Sequence, residues 1–435
     1  MTKRDAHGLE ISAEDDASLA AIDAFGNELL AMGTNADRIL EAAETHPECS
    51  LVQTYAALFL LYGTTKASRE AALPLVEQAE KTAGLPREKA WVEATKSWVL
   101  GDYEATMDRC EAITQQWPRD LVAAKVAEFH YYLTGQYWQA SRFLTHMERI
   151  NEANANAPHF LSMHAFALEL SGRTQQSHAL AERAIAAEPH NPWAHHAIAH
   201  LYTRRANPDK GVAVVKGYAD TWQSAGTSIR SHNFWHLAVL YLDRLEVDEA
   251  LALHQGQVFE RDQSLAGIQL DAISLLWRIE MAGRRQETLW DRVADATSAL
   301  AGDFPMPYAA AHHAFLFART GREDALRNTL DAAERATHTP LPGRRAVWTK
   351  GGLDLVRGCA AFGTGDAKRA AHYLAPQIER VGASGGSDAQ IDLFHQTHFR
   401  SLLESGQSAG ASSWLERRSA GRRKTALEEH WASQL

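Results

Sequence analysis

Histidine titrates near neutrality, and this chain carries 21 of them. Several fall in helical pairs. His196 and His200 are four apart, as are His232 and His236, while His395 and His398 are three apart. On a helix that spacing sets both rings of a pair on one face. Trp193, Asn233 and Trp235 lie within the same stretches, and Asp271, Ser274 and Arg278 follow some 35 residues on (about ten helical turns). A carboxylate that orients an imidazole is the minimal equipment for general acid–base chemistry. Two imidazoles four apart are also half of a zinc site. However, no Glu follows the first His of either pair, so the H-E-x-x-H pattern is missing, and no Cys accompanies them. Acid–base work on a small polar molecule is the first expectation, with His196, His200, His232, His236 and Asp271 as catalytic candidates. A metal held by the four histidines is the second choice, and no cofactor is expected. The plain alternative is structural: buried polar side chains join neighbouring helices by hydrogen bonds. Burying so many is costly unless they satisfy one another or a ligand.

Other chemistry is absent from the sequence. There is no Ser–His–Asp signature, nucleophile elbow or phosphate loop. Gly385, Gly386 and Ser387 are not followed by the Gly-Lys-Ser/Thr of a phosphate loop. They read as a turn and an N-cap, opening a helix whose N-terminus can face an anion. The basic stretch from Arg417 to Lys424 reads as a solvated final helix.

The elements that must position these residues are helices. Glycines recur between apolar helical stretches at Gly101, Gly135, Gly172, Gly283, Gly321 and Gly365, spaced 34 to 44 residues apart except for one gap of 111. Leu245 divides that gap with the same outline but no glycine, 73 residues after Gly172. A period of this length with helix–turn–helix content is the mark of tetratricopeptide-type arrays. Glycine suits the turns because a helix C-terminus favours a left-handed residue. The unit from Gly172 shows the pattern best, with a small Ala184 at 12 residues and a terminating Pro189 at 17. Gly33 and Gly63 extend the punctuation toward the N-terminus. β-branched alternation is almost absent, so no strand is expected.

This predicts an all-α fold of tetratricopeptide-like helix–turn–helix repeats in a closed or strongly curved superhelix. Residues 1–14 read as a tail, 15–435 as one array, and the helices from about 387 as its closing end. Numbered from Pro189, Trp193, His196 and His200 take the concave positions of the next first helix. Counting from Leu245 turns His232 and His236 inward and, continuing, Asp271, Ser274 and Arg278, then His312 or His313. Substrate-binding candidates are Trp193, Asn233, Trp235, Ser274, Arg278 and His313.

At 435 residues the chain exceeds the roughly 250–300 of a single core, which also favours an array. Its 44 Lys and Arg against 54 Asp and Glu give a net charge of −10. That is a poor match for a phosphate backbone, and no nucleic-acid partner is expected. No uninterrupted apolar run approaches a membrane span of about 18–20 residues, and no secretory leader is read. Cys49, Cys110 and Cys359 are few and far apart, as suits a reducing compartment. A cytoplasmic location without membrane contact follows.

Four runs are similar to those of the tetratricopeptide repeat protein 38 family: PWAHHAIAH from Pro192 to His200, SHNFWHLA from Ser231 to Ala238, LDAISLLWR from Leu270 to Arg278, and GGSDAQID from Gly385 to Asp392. The resemblance spans roughly residues 15–420. It implies a closed helical superhelix without an established reaction, and adds Gln390 and Asp392 to the substrate-binding candidates. His195 does not match. Where the family carries Asn-Asp shortly before a histidine, this chain has Ala309, Ala310 and Ala311 before His312 and His313. The alternative to a small-molecule pocket is a scaffold that holds a peptide or partner protein in its groove.

Overall fold

The computed structural model describes residues 2–13, 15–260 and 262–435, with the backbone alone at 136–139. It is an all-α fold of tetratricopeptide-like helix–turn–helix pairs. Typical pairs are Pro158–Leu170 with Thr174–Ala187, and Pro307–Arg319 with Glu323–Ala336. Proline opens many first helices, including those from Pro86, Pro158 and Pro307, where its missing N–H is of no consequence.

The two helices of a pair bury different amounts of surface. Pro307–Arg319 is buried from Pro307 to Phe317, whereas Glu323–Ala336 buries only Thr329, Ala332 and Ala333. A first helix is packed on several sides, and a second helix keeps one face in water. Polar residues on first helices are therefore buried, which is what makes the histidine-bearing helices a candidate site.

The expected turns are present. Gly101, Gly135, Gly172, Gly283, Gly321 and Gly365 all have positive φ, between 65° and 111°. At Gly172 its own N–H reaches the Glu169 carbonyl and the Arg173 N–H reaches the Leu168 carbonyl. Leu245 repeats that geometry without glycine. It sits at φ 59°, with N–H bonds from Leu245 to Leu242 and from Glu246 to Tyr241. Near Gly33 and Gly63 the turn falls as expected, but the left-handed residues are their neighbours Met32 and Thr64.

The chain divides into two compact units. The first comprises Met1–Thr134, Trp138–Ala197 and Ser224–Gly226; the second comprises Gly135–Tyr137, Ile198–Gln223 and Thr227–Leu435. At the N-terminus the expectation of no strand gives way to a hairpin of Thr2–Arg4 against Glu10–Ser12. It is held in place by the first unit's polar interior. The Ser12 N–H donates to Glu88 Oε1 at 2.6 Å, and Asp5 pairs with buried Arg87 at 3.0 Å.

In the second unit the late helices return onto early ones. Trp431 donates its indole N–H to the Met281 carbonyl, and Arg278 reaches the Ala389 carbonyl. Trp277 stacks on Phe315 at 3.6 Å, with Phe394 edge-on, so residues distant in sequence share one core.

Candidate functional site

Five helices of the second unit carry the chemistry: the His200 end of Pro192–Arg204, then Thr227–Asp243, Ala266–Met281, Pro307–Arg319 and Asp388–Glu404. The helical period puts His232 and His236 on one face of Thr227–Asp243, with rings 4.8 Å apart. The His200 ring is 4.6 Å from that of His236. Each outer histidine is held by a carboxylate. His232 Nδ1 is 2.9 Å from Asp271 Oδ2, and His200 Nδ1 is 2.9 Å from Asp388 Oδ1. An ionised carboxylate only accepts, so Nδ1 is the donor in both pairs and proton exchange falls to Nε2.

Arg204 adds a second cation to Asp388 at 2.6 Å. Burial works against ionisation of Asp388, but the His200 hydrogen bond and the nearby charges of His200 and Arg204 outweigh it. Its carboxyl is held below the usual range. Trp235 stacks parallel to His232 at 5.4 Å, and the Arg278 guanidinium lies 5.3 Å over the Trp235 ring. Arg278 donates to Ser274 Oγ at 2.7 Å, one turn back on its own helix, and to the Ala389 carbonyl at 2.8 Å. Burial lowers its pKa, with the charge of Asp392 opposing.

Within this unit the structure brings together His200, His232, His236, Asp271, Trp235, Ser274 and Arg278. Asn233 is buried on the same helix as the second pair. His313 goes elsewhere, beside Phe304 and Phe317. Its neighbour His312 stands against Tyr308 at 4.4 Å instead, because successive helical residues point about 100° apart. Burial lowers the His312 pKa to about 3, so the ring is neutral, and its Nδ1 faces the Tyr308 carbonyl at 2.8 Å. Gln390 accepts the Ser387 N–H at 2.9 Å as part of the helix start. Asp392 is engaged by Arg418 at 2.9 Å and Gln396 at 2.8 Å. Burial opposes its ionisation, and the Arg418 charge overcomes that and depresses the pKa.

Trp193 and His196 belong to the first unit, where they stack at 4.3 Å with Phe166 edge-on. The Trp193 indole donates to Glu128 Oε1 at 2.8 Å, and Lys125 sits 4.0 Å above its ring. His195 is buried, and desolvation lowers its pKa to about 4.

Sequence reasoning passed over Asp388, Arg204 and Tyr308, and read Ser387 only as the N-cap of a helix whose N-terminus can face an anion. Asp388 lay inside the GGSDAQID run, one residue after the N-cap, where an acidic side chain reads as ordinary helix capping. Tyr308 immediately precedes the three alanines that mark the departure from the family pattern, and it is the polar group at that place.

No helix among the described residues is long and apolar enough to cross a membrane. No family model matches the chain. Among solved structures it is similar to the human IFIT1 dimer with m7Gppp-AAAA, at 14% identity, with 99% of this chain and 96% of that one covered and a TM-score of 0.43. It is also similar to Naa15/Naa10 bound to HypK-THB, at 13% identity, with 96% and 66% covered and a TM-score of 0.26. Likenesses this distant carry no argument about ligands. By its own helix pairs, the chain is a tetratricopeptide-like helical-repeat protein.

Proposed function

We propose that this is a cytoplasmic member of the tetratricopeptide repeat protein 38 family whose second unit binds a small polar molecule and acts on it by acid–base chemistry. Three of the four family-like runs lie wholly in that unit, as does His200 of the fourth. Cys49, Cys110 and Cys359 are free and buried, in keeping with a reducing compartment. The single observation carrying the reading is that two carboxylate–imidazole pairs, His232–Asp271 and His200–Asp388, flank one further buried histidine, His236. A structural network needs imidazoles only as spacers, whereas a pair of oriented bases suits proton transfer on opposite sides of a bound molecule.

Native mass spectrometry and unfolding of the full chain test this together. In His236→Ala a molecule retained by the wild type is lost while the unfolding midpoint holds, because ligand-facing polar groups are often not optimised for stability. A wild type that retains nothing, with a His236→Ala variant destabilised by about 1–3 kcal/mol, would overturn this reading in favour of a scaffold for a peptide or partner protein. Metal analysis of the same samples reads the histidine-bound ion, which would leave stoichiometrically in the variant.

A further inference from the structure

Arg278 is 3% exposed, and among the described residues it forms no salt bridge. Its two terminal nitrogens are used on Ser274 and the Ala389 carbonyl, both uncharged, while Nε has no hydrogen-bond partner among the described residues. A buried guanidinium without a carboxylate is unusual, since desolvating the charge calls for a counter-ion. The charges of Asp392 and Asp243 reach it only from beyond ion-pair distance, and three neighbouring carboxylates have other partners: Asp271 has His232, Asp388 has His200 and Arg204, and Asp392 has Arg418.

The same place holds further donors. Tyr308 is 7% exposed and Ser387 3%, and neither hydroxyl has a partner among the described residues. Ser387 is the N-cap of Asp388–Glu404, yet the Gln390 N–H goes to its carbonyl at 3.1 Å rather than to its hydroxyl. Ahead of it Gly385 and Gly386 take φ of 102° and 87°. A Cβ at Gly386 would lie 3.0 Å from the Tyr308 ring, so the turn and the tyrosine are in contact. The backbone N–H groups of Gly385, Gly386 and Asp388 make no hydrogen bond among the described residues. A glycine turn leading into a helix N-terminus, with left-handed residues presenting successive N–H groups, is a recurrent anion cradle. Three buried side-chain donors adjoin it: Ser387 belongs to the turn, the Tyr308 ring touches it, and Arg278 bonds the Ala389 carbonyl of the helix that follows.

We propose that the Gly385–Ser387 turn, Tyr308 and Arg278 form a subsite for an oxyanion, the carboxylate or phosphate group of the ligand. This rests on the proposed small-molecule reading and adds the ligand's chemical class. The oxyanion supplies the counter-ion that Arg278 lacks and the acceptor that both hydroxyls lack. It anchors the molecule a short way from the His232 and His200 dyads, so the reacting part is neutral or sits beyond the charged end.

The experiment uses the full chain dialysed into oxyanion-free buffer, with inorganic phosphate and acetate as probes. Each is titrated by calorimetry and followed by ligand-observed nuclear magnetic resonance. One of the two saturates a single site in the wild type, and which one binds tells phosphate from carboxylate. Tyr308→Phe and Ser387→Ala each weaken it about tenfold, the usual effect of removing a hydrogen bond to a charged group. Arg278→Gln abolishes it. Tyr308→Phe weakens it without lowering the unfolding midpoint, which a merely structural hydroxyl would not allow. The subsite is overturned if neither probe binds the wild type, or if binding is unchanged in Tyr308→Phe and Ser387→Ala. A neutral molecule retained by the wild type and lost in His236→Ala would also overturn it while upholding the acid–base reading. Oxyanion binding weakened by these variants, with no molecule lost in His236→Ala, would uphold the subsite alone.

Discussion

Both units bury charged and aromatic polar residues on their first helices, but they complete the resulting networks differently. In the first unit Arg87 lies between Asp120 at 2.7 Å and Asp5 at 3.0 Å, and the Trp91 indole donates to Asp120 at 2.9 Å. Lys125 meets Glu128 Oε2 at 2.7 Å while Trp193 takes Oε1, so each carboxylate oxygen has a donor. In the second unit Arg278 has no carboxylate, and the Tyr308 and Ser387 hydroxyls have no partner among the described residues. Burial alone therefore does not mark a site. Orphaned neutral atoms such as the Tyr62 hydroxyl and His130 Nε2 occur in the first unit too, so what sets the second apart is a buried charge, Arg278, that the protein itself does not pair.

The largest effect expected from this difference is on the charged groups. Asp120→Ala leaves buried Arg87 with Asp5 alone and the Trp91 indole without an acceptor, and should cost about 3–5 kcal/mol in denaturant unfolding. Arg278→Gln removes a charge that has no protein counter-ion and forfeits hydrogen bonds to Ser274 and Ala389. Its loss should be smaller, about 1–2 kcal/mol. Equal losses in the two variants would erase the distinction between the units.

The sequence made the repeat legible because its signal is local. A glycine at a helix end answers to the backbone of that turn alone, and even Leu245, lacking the glycine, kept the flanking apolar pattern. The helical histidine pairs were legible for the same reason. Less accessible was anything set by rotation or by returning helices. His312 and His313 differ by a third of a turn, and only the packing of Pro307–Arg319 tells which meets Tyr308. Asp388 is 188 residues from His200, a pairing made by the late helices folding back. The N-terminal hairpin escaped notice because its strands are three residues each, too short to show a period.

Acid should act on the two units with opposite sign. Asp392 has a folded pKa below its unfolded value of about 3.9, so its stabilisation is full above that value and is lost as pH falls toward the folded pKa. Glu128 is the reverse: burial raises its pKa despite the charge of Lys125. Its contribution is present below the unfolded value of about 4.3 and is lost as pH rises through the folded one. Stability followed by denaturant unfolding from about pH 6 to 3 should fall less steeply in Asp392→Asn than in the wild type. In Glu128→Gln it should fall more steeply. Slopes changed in the same direction would mean that the two carboxylates share one environment.

The smallest effect gives the cleanest comparison, because the same near-isosteric change can be made in each unit. Tyr131 in the first unit donates its hydroxyl to Glu111 Oε1 at 2.6 Å and lies 3.0 Å from His146 Nδ1. Tyr308 in the second is similarly buried, but its hydroxyl has no partner among the described residues. Tyr131→Phe deletes a hydrogen bond to a carboxylate and leaves the acceptors short, which should cost about 1–3 kcal/mol. Tyr308→Phe deletes an oxygen whose desolvation is uncompensated in the ligand-free chain, so the change should lie within about 0.5 kcal/mol of zero or be stabilising. The two substitutions remove the same atom, so ring packing cancels and the difference reports the completed network alone. A Tyr308→Phe loss as large as that of Tyr131→Phe would show that the hydroxyl already has a structural partner, and Tyr308 would drop out of any ligand site. If only Tyr131→Phe is destabilised, adding the oxyanion probe should then raise the midpoint of the wild type and leave that of Tyr308→Phe nearly unmoved, since only a ligand that binds the native state shifts it.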